Sequence, residues 1–398
     1  MTEVNNKKKF TDFKLPEMLL KSFEEHKFIN PTPIQEEVIP LAMNGQDILG
    51  SAQTGTGKSL AFITPMISKL LDDKIHSGII LVPTRELAKQ VLEVVRDILT
   101  PNMKINTALL IGGDKIAGQK NQLKNKPRII VGTPGRINDF LEKKFLKLHQ
   151  TDYLVLDEMD RMLDMGFGVQ IETIINRMPQ ERQTLMLSAT MPKNIMKMAN
   201  KYLMAPVVVE IEGTKEQNEN IEQDFIHLKE DEKFDKLIDE LDNRSGSVVI
   251  FAKTKRGVER LVKRINELKN DSHSVNYIHG DLRQRHREQV VKKYRDYKFR
   301  ILVATDVAAR GLDIPHIEHV INYDLPQQAE DYTHRIGRTG RNGAKGYALT
   351  LVSPAEKKEW KELSLFLDPS KEDEFIEESK KNRKSRSRNR RSGGGKGH

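Results

Sequence analysis

The sequence predicts an α/β protein built as two doubly wound parallel-sheet domains in tandem. With 398 residues, the chain is longer than one domain usually needs. Short runs rich in Val, Ile and Leu alternate with longer stretches of helical period, which is how a parallel sheet covered by helices on both faces reads. After about residue 222 the same alternation starts again.

In the first series, expected to span residues 1–211, the strand candidates are "SGIILVP", "PRIIVGTP", "DYLVLDE" and "QTLMLSAT". A polar stretch, "EIEGTKEQNENIEQD", reads as a linker over residues 212–220. The second domain, expected over 221–366, carries "GSVVIFAKT", "SVNYIHGD", "RILVATD", "EHVINYD" and "GYALTLVS". From 367 to 398 the chain turns acidic, "DPSKEDEFIEES", and then basic with Ser, Arg and Gly, the composition of a disordered tail. Lys380, Lys381, Arg383, Lys384, Arg386, Arg388, Arg390, Arg391 and Lys396 put nine positive charges there with no carboxylate among them, against a formal net charge of +9 for the whole chain. The remainder is close to neutral.

Composition excludes several classes. With no cysteine there is neither a disulfide framework nor a thiolate metal site. The start, "MTEVNNKKKF", has no apolar run behind its lysines, and no uninterrupted apolar stretch approaches bilayer-spanning length, so a soluble cytoplasmic protein is expected. The histidines are scattered without metal-site spacing.

"DILGSAQTGTGKS" runs from a short apolar strand through a glycine-rich turn into a helical stretch. That is the context of a P-loop. Backbone N–H groups around Thr54, Gly55, Thr56 and Gly57 would cradle phosphate oxygens, Lys58 would reach the terminal phosphates, and Ser59 would offer a hydroxyl to Mg²⁺. The pattern G-x-x-x-x-G-K-[ST] is met except that Ala52 stands at its first position. Further on, "LVLDEMDRMLDMGF" places Asp157, Glu158 and Asp160 at the end of an apolar strand. Carboxylates in a helix's first turn are ordinary, because they favour the positive end of its dipole. With phosphates fixed at Lys58, however, these acids fall at the end of a later strand of the same sheet, where open α/β sheets bind ligands. Asp157 would then hold Mg²⁺ through its water shell, and Glu158 would orient and deprotonate the water attacking the γ-phosphate.

Taken in order, "FINPTPIQ", "AQTGTGKS", "PTRELA", "GG" (Gly112, Gly113), "TPGR", "DEMD", "SAT", "ATDVAARGLD" and "HRIGRTGR" resemble the motifs of the DEAD-box ATP-dependent RNA helicases of superfamily 2, over roughly residues 10 to 353. The short basic tail after a compact core is similar to the bacterial RhlE-type branch. The resemblance implies two RecA-like domains, ATP and Mg²⁺ as cofactors, and RNA as partner. It implies that Gln35 reads adenine, which a carboxamide can do by donating and accepting at once, with Phe28 and Phe10 packing against the base or supporting that loop. It also implies nucleotide contacts at Gly311 and Asp313. Coupling between the ATP state and RNA grip falls to Ser188, Thr190, Asp160, His334 and Arg310, although short hydroxyl residues at strand ends are usually caps.

RNA contacts are implied at Pro83, Thr84, Arg85, Gly112, Gly113, Thr133, Gly135 and Arg136 in the first domain and at Thr254, Gly280, Arg287 and Thr305 in the second. Loops of this kind expose N–H groups and arginines to phosphates and sugars rather than to base edges. Aromatic residues are 6% of the chain and do not cluster in these loops, so a sequence-independent grip on the backbone of single strands and short duplexes is expected, with the basic tail adding nonspecific affinity. Arg338 and Arg341, three apart, would share the face of one helical turn and resemble arginine fingers. Three positions depart from the family pattern: Met159 replaces Ala, Ser59 replaces Thr, and Lys27 stands where Gly usually precedes the aromatic, a problem if that position needs positive φ. A superfamily-2 DNA helicase and an ATP-dependent RNA clamp with slow turnover are the alternative readings.

Overall fold

A computed structural model describes residues 8–52, 56–191, 193–211, 220–309, 314, 316–340 and 344–371. The chain divides into two compact units, residues 1–215 and 216–398. Among the described residues no helix is long and apolar enough to cross a membrane.

The first unit holds strands β1 (Ile48–Ser51), β2 (Gly78–Leu81), β3 (Thr107–Leu110), β4 (Ile129–Gly132), β5 (Tyr153–Leu156), β6 (Gln183–Ser188) and β7 (Val207–Glu210). Its helices are α1 (Glu17–Glu25), α2 (Pro33–Met43), α3 (Lys58–Leu71), α4 (Arg85–Ile98), α5 (Ile116–Lys124), α6 (Pro134–Glu142), α7 (Met159–Asp164), α8 (Gly168–Ile175) and α9 (Lys193–Tyr202). The sheet is wholly parallel in the order β3-β4-β2-β5-β6-β1-β7. Its central strands are apolar throughout because both faces are covered. Ile80, Val155 and Leu185 enter one core and Ile79, Leu154 and Met186 the other, as the two-residue period of a strand requires. Helix α4 buries Ala88, Val91, Leu92, Val95 and Ile98, one stripe at three- and four-residue spacing.

The second unit repeats the plan with β8 (Ile221–His227), β9 (Ser247–Phe251), β10 (Val275–Ile278), β11 (Ile301–Ala304), β12 (Ile317–Asn322) and β13 (Gly346–Val352), again all parallel, ordered β10-β11-β9-β12-β13-β8. Its helices are α10 (Lys233–Asn243), α11 (Lys255–Glu267), α12 (Gln284–Arg295), α13 (Asp306–Ala309), α14 (Ala329–Ile336) and α15 (Lys357–Leu367). Val248 and Ile250 face one core, Val249 and Phe251 the other. The tail was expected from residue 367, but α15 runs through Leu367 with Leu363 buried, and a 3-10 turn follows at Pro369–Lys371. The rest of the tail, residues 372–398, lies outside the described residues, as does the expected linker except for Asn220.

Lys27 sits where the sequence left a question. Its φ is 59°, in the left-handed region. It ends α1 in a Schellman turn: Lys27 N–H donates to Glu24 O at 3.0 Å and Phe28 N–H to Phe23 O at 2.8 Å. The accompanying apolar contact is Phe23 against Phe28, ring centroids 6.0 Å apart. A left-handed residue with a Cβ costs about 1–2 kcal/mol, of which glycine's greater freedom in the unfolded chain returns about half. Lys27→Gly should therefore stabilise this unit by about 0.5–1 kcal/mol and raise its thermal midpoint by roughly 1–4 °C. A lower midpoint in a circular-dichroism melt would refute this.

Candidate functional site

The strand order decides which loops meet. β5, β6 and β1 are neighbours, so the turns at their carboxyl ends, carrying Asp157–Asp160, Ser188–Thr190 and Ala52–Ser59, converge on one half of the sheet edge. β3, β4 and β2 fill the other half and bring together Gly112–Gly113, Thr133–Arg136 and Pro83–Arg85.

In the glycine-rich turn, Gly57 caps α3 at φ 90°, and a Cβ there would stand 2.4 Å from Gln35 Nε2. Only glycine fits. Lys58 is buried and its Nζ donates to Ala52 O at 2.8 Å, while Ala52 N–H donates to Ser188 O at 3.1 Å, tying β1's exit to β6. Ser59, half-buried, follows in the first turn of α3. Thr54 and Gly55 lie outside the described residues.

Gln35 is held by a capping box at the start of α2. Its Oε1 accepts from Thr32 N–H at 2.9 Å, its Nε2 donates to Gly57 O at 2.9 Å, and Thr32 Oγ1 donates to Thr56 O at 2.7 Å. The loop proposed to read adenine is thus stapled to the phosphate turn. Thr32 was missed by motif reading, although the box T-P-I-Q was there to be seen. Phe10 is a core aromatic, 4.7 Å from Phe23 by ring centroids, and supports the loop through Phe10 N–H to Ile29 O at 3.2 Å. Phe28 is half-buried beside it.

The three acids part ways in space. Asp157 is buried and accepts from Glu158 N–H at 3.0 Å; burial pushes its carboxyl up to about 6, against the pull of the Lys58 ammonium. Glu158, at φ 52°, turns its carboxylate onto Arg161, whose Nη1 lies 2.6 Å from both oxygens. Asp160 accepts from Ala189 N–H at 3.1 Å, Thr190 N–H at 3.2 Å and Thr190 Oγ1 at 3.3 Å. The acidic motif is in this way bonded to the Ser188–Thr190 turn. Ser188 Oγ is buried with no partner among the described residues. Met159, the bulky departure, is fully buried in the second core beneath the site.

On the other half of the edge, Thr84 caps α4 by accepting from Leu87 N–H at 3.2 Å, which leaves its O–H free in direction to donate. Arg85 lies over the glycine pair, so that a Cβ on Gly112 would stand 3.0 Å from its Nη2; Gly113 is left-handed at φ 84°. Arg136 Nη1 donates to Asp114 O at 3.3 Å and joins the two loops, with Thr133 buried at the head of α6 and Gly135 exposed.

The second unit places Thr254, Gly280 and Thr305 at the ends of the contiguous strands β9, β10 and β11. Thr254 caps α11, accepting from Gly257 N–H at 3.0 Å. Arg287 Nη2 donates to Ala308 O at 2.9 Å, fixing α12 to the turn after β11. Past β12, Arg335 is consumed structurally: its Nε and Nη2 grip Asp306 at 2.5 and 2.8 Å and its Nη1 donates to Asp324 O at 2.7 Å. Neither Arg335 nor Asp306 was singled out from sequence. His334 faces Asp331 at 3.7 Å, and Arg338 Nε donates to His334 O at 3.1 Å. Arg338 lies beyond α14, which stops at Ile336 with Gly337 as its cap, and Gly340 is left-handed at φ 65°. Arg341, Arg310, Gly311 and Asp313 lie outside the described residues.

A sequence family described as DEAD/DEAH box helicase matches residues 32–198, and one described as helicase conserved C-terminal domain matches residues 232–343. The chain is 45% identical over 351 residues to the ATP-dependent RNA helicase CshA of Listeria monocytogenes, covering 87% of this chain and 66% of that protein. It is 41% identical over 350 residues to the DEAD-box ATP-dependent RNA helicase CshA of Bacillus subtilis, 87% of this chain and 70% of that one. The chain belongs to the DEAD/DEAH box helicase family. It spans about two thirds of the length of these curated relatives. Among solved helicases, Saccharomyces cerevisiae Dbp5 bound to RNA and ADP BeF3 matches with a TM-score of 0.77 at 33% identity, over 90% of this chain and 92% of that one. Mss116p bound to ssRNA and AMP-PNP matches with a TM-score of 0.79 at 30% identity, over 88% and 75%. The two parallel sheets are therefore the RecA-like domains of a DEAD-box helicase.

Proposed function

We propose that this helicase hydrolyses ATP at the β1, β5 and β6 loops while gripping RNA along the β3, β4 and β2 loops and the matching β9, β10 and β11 loops of the second unit, and that this locally opens short duplexes. The observation that carries this reading is the convergence of the β1, β5 and β6 exits on one half of the sheet edge, where Asp160 bonds Ala189 and Thr190, with the β3, β4 and β2 loops gathered on the other half. Gln35 with Phe28 would bind the base, Lys58 the terminal phosphates, and Glu158 the attacking water. Arg338 and Arg341, with Gly311 and Asp313, would complete the nucleotide contacts from the second unit when RNA favours closure.

Mg²⁺ fits the residues present. Asp157 is a buried carboxylate within the electrostatic reach of the Lys58 ammonium, and Ser59 supplies a hydroxyl at the start of α3. That is what an ion held mainly by water and substrate phosphates needs, and bound there it would neutralise charge on the phosphates. An RNA substrate also argues for a cytoplasmic location.

The test is steady-state ATP turnover with single-stranded RNA, DNA of the same sequence, or neither. RNA should stimulate and DNA should not; equal stimulation by DNA would favour the DNA-helicase reading, and ATP-dependent RNA binding without strand separation the clamp. Deleting residues from Lys380 onward should leave the maximal rate intact and raise the RNA concentration needed, because nine charges add nonspecific affinity without touching the site. If the tail makes roughly four phosphate contacts, the slope of log affinity against log salt should flatten by about 3. An unchanged slope would assign the tail to another partner.

A further inference from the structure

Arg161 is the largest fully buried side chain among the described residues, only 1% exposed, and nothing so far assigns it a role. It stands three residues after Glu158 in the first turn of α7, on the same helical face. Its Nη1 is 2.6 Å from both Glu158 oxygens, and its Nη2 is buried with no partner among the described residues. Taking a guanidinium and a carboxylate out of water costs several kcal/mol each, and an apolar pair of the same volume is often as stable or more so. Glu158 also bears a left-handed backbone, a further cost of about 1–2 kcal/mol. Stability therefore does not account for the pair. Such costs collect where geometry is being held for chemistry.

We propose that Arg161 is a positioning residue for Glu158, a role that rests on the reading of Glu158 as the group that orients the attacking water. Both oxygens share a single Nη1, so the carboxylate is aimed without using up its acceptor capacity, which extends to about four lone-pair directions. The spare Nη2 gives the arrangement a second seat. A carboxylate moving toward the water passes from Nη1 onto the Nη1–Nη2 fork and keeps a charge-assisted hydrogen bond throughout. Asp157 and Asp160 accept from the Glu158 and Ala189–Thr190 backbone N–H groups. Glu158 can then pivot with a partner that moves with it.

The experiment is a double-mutant cycle on the full chain, measuring kcat and KM for ATP at saturating RNA together with fluorescent-nucleotide affinity. Arg161→Met should lower kcat about 10- to 100-fold, the range a misplaced catalytic group produces, with KM and affinity within about twofold. Arg161→Lys should recover part of the loss, since an ammonium keeps the charge but not the fork. In a Glu158→Gln background, Arg161→Met should add nothing. Additive losses, a wild-type kcat in Arg161→Met, or nucleotide affinity falling in step with kcat would each overturn the proposal. Should Arg161→Met not fold, the same cycle is read on Arg161→Lys. Wild-type turnover in Glu158→Gln alone would instead overturn the reading of Glu158, so the two failures are told apart.

Discussion

Arg338→Ala is expected to cut RNA-stimulated ATP turnover by at least about a hundredfold while affinity for a fluorescent nucleotide changes little. An arginine reaching the γ-phosphate stabilises charge that develops only in the transition state, and in other phosphoryl-transfer systems this is worth roughly 10³ to 10⁵ in rate. Arg338 lies just beyond α14, bonded through Nε to a backbone carbonyl, whereas Arg335, three residues earlier, is locked onto Asp306, Asn322 and the Asp324 carbonyl. Arg335→Ala would strand a half-buried carboxylate and empty a buried site, and should cost stability. A thermal melt of Arg338→Ala beside the turnover assay separates loss of chemistry from loss of fold. Arg338→Lys should not rescue fully, because an ammonium lacks the bidentate fork. Arg341→Ala is expected to behave as Arg338→Ala does. If both variants hydrolyse ATP at the wild-type rate, the second unit takes no part in hydrolysis and acts on RNA alone.

The buried strands of each sheet were legible from sequence, and three of the four edge strands were not. β2, β4, β5 and β6 and then β9, β11 and β13 are buried at every position and read as largely apolar runs. β3, β7 and β8 escaped notice, and all three are edge strands. "VVVE" and "IEQDFIH" mix buried and exposed positions and "TALL" alternates half-buried with buried, so no uniformly buried run marks them. The site divides in the same way. Lys58, Asp157 and Glu158 lie in contiguous motifs whose chemistry is written in the residue types. Thr32, Arg161 and Arg335 owe their roles to partners found only through space: the Thr56 carbonyl, the Glu158 carboxylate and the Asp306 carboxylate. The RhlE-like branch was read from overall proportions, and the curated relatives named above carry the name CshA.

Glu158→Gln and Lys58→Ala should fail in different ways, and the difference tests the division of labour at the sheet edge. A positioned base contributes about 10² to 10⁴ in rate, so Glu158→Gln should lose kcat on that scale while ATP and RNA affinities stay near the wild-type values. Gln is the informative replacement because its carbonyl oxygen can still accept from Arg161 Nη1, which now meets two carboxylate oxygens at 2.6 Å; Ala would leave a buried guanidinium unpaired and confuse rate with folding. Lys58→Ala should weaken nucleotide binding and turnover together. Its ammonium would serve the phosphates in ground and transition states alike, and in this structure it donates to the Ala52 carbonyl, 2.8 Å away, from which phosphates could draw it. The measurement is fluorescent-nucleotide affinity beside single-turnover ATP hydrolysis at saturating RNA. A Glu158→Gln enzyme that turns over at the wild-type rate removes Glu158 from the chemistry. A Lys58→Ala enzyme that binds ATP normally would mean that the backbone of the turn alone holds the phosphates.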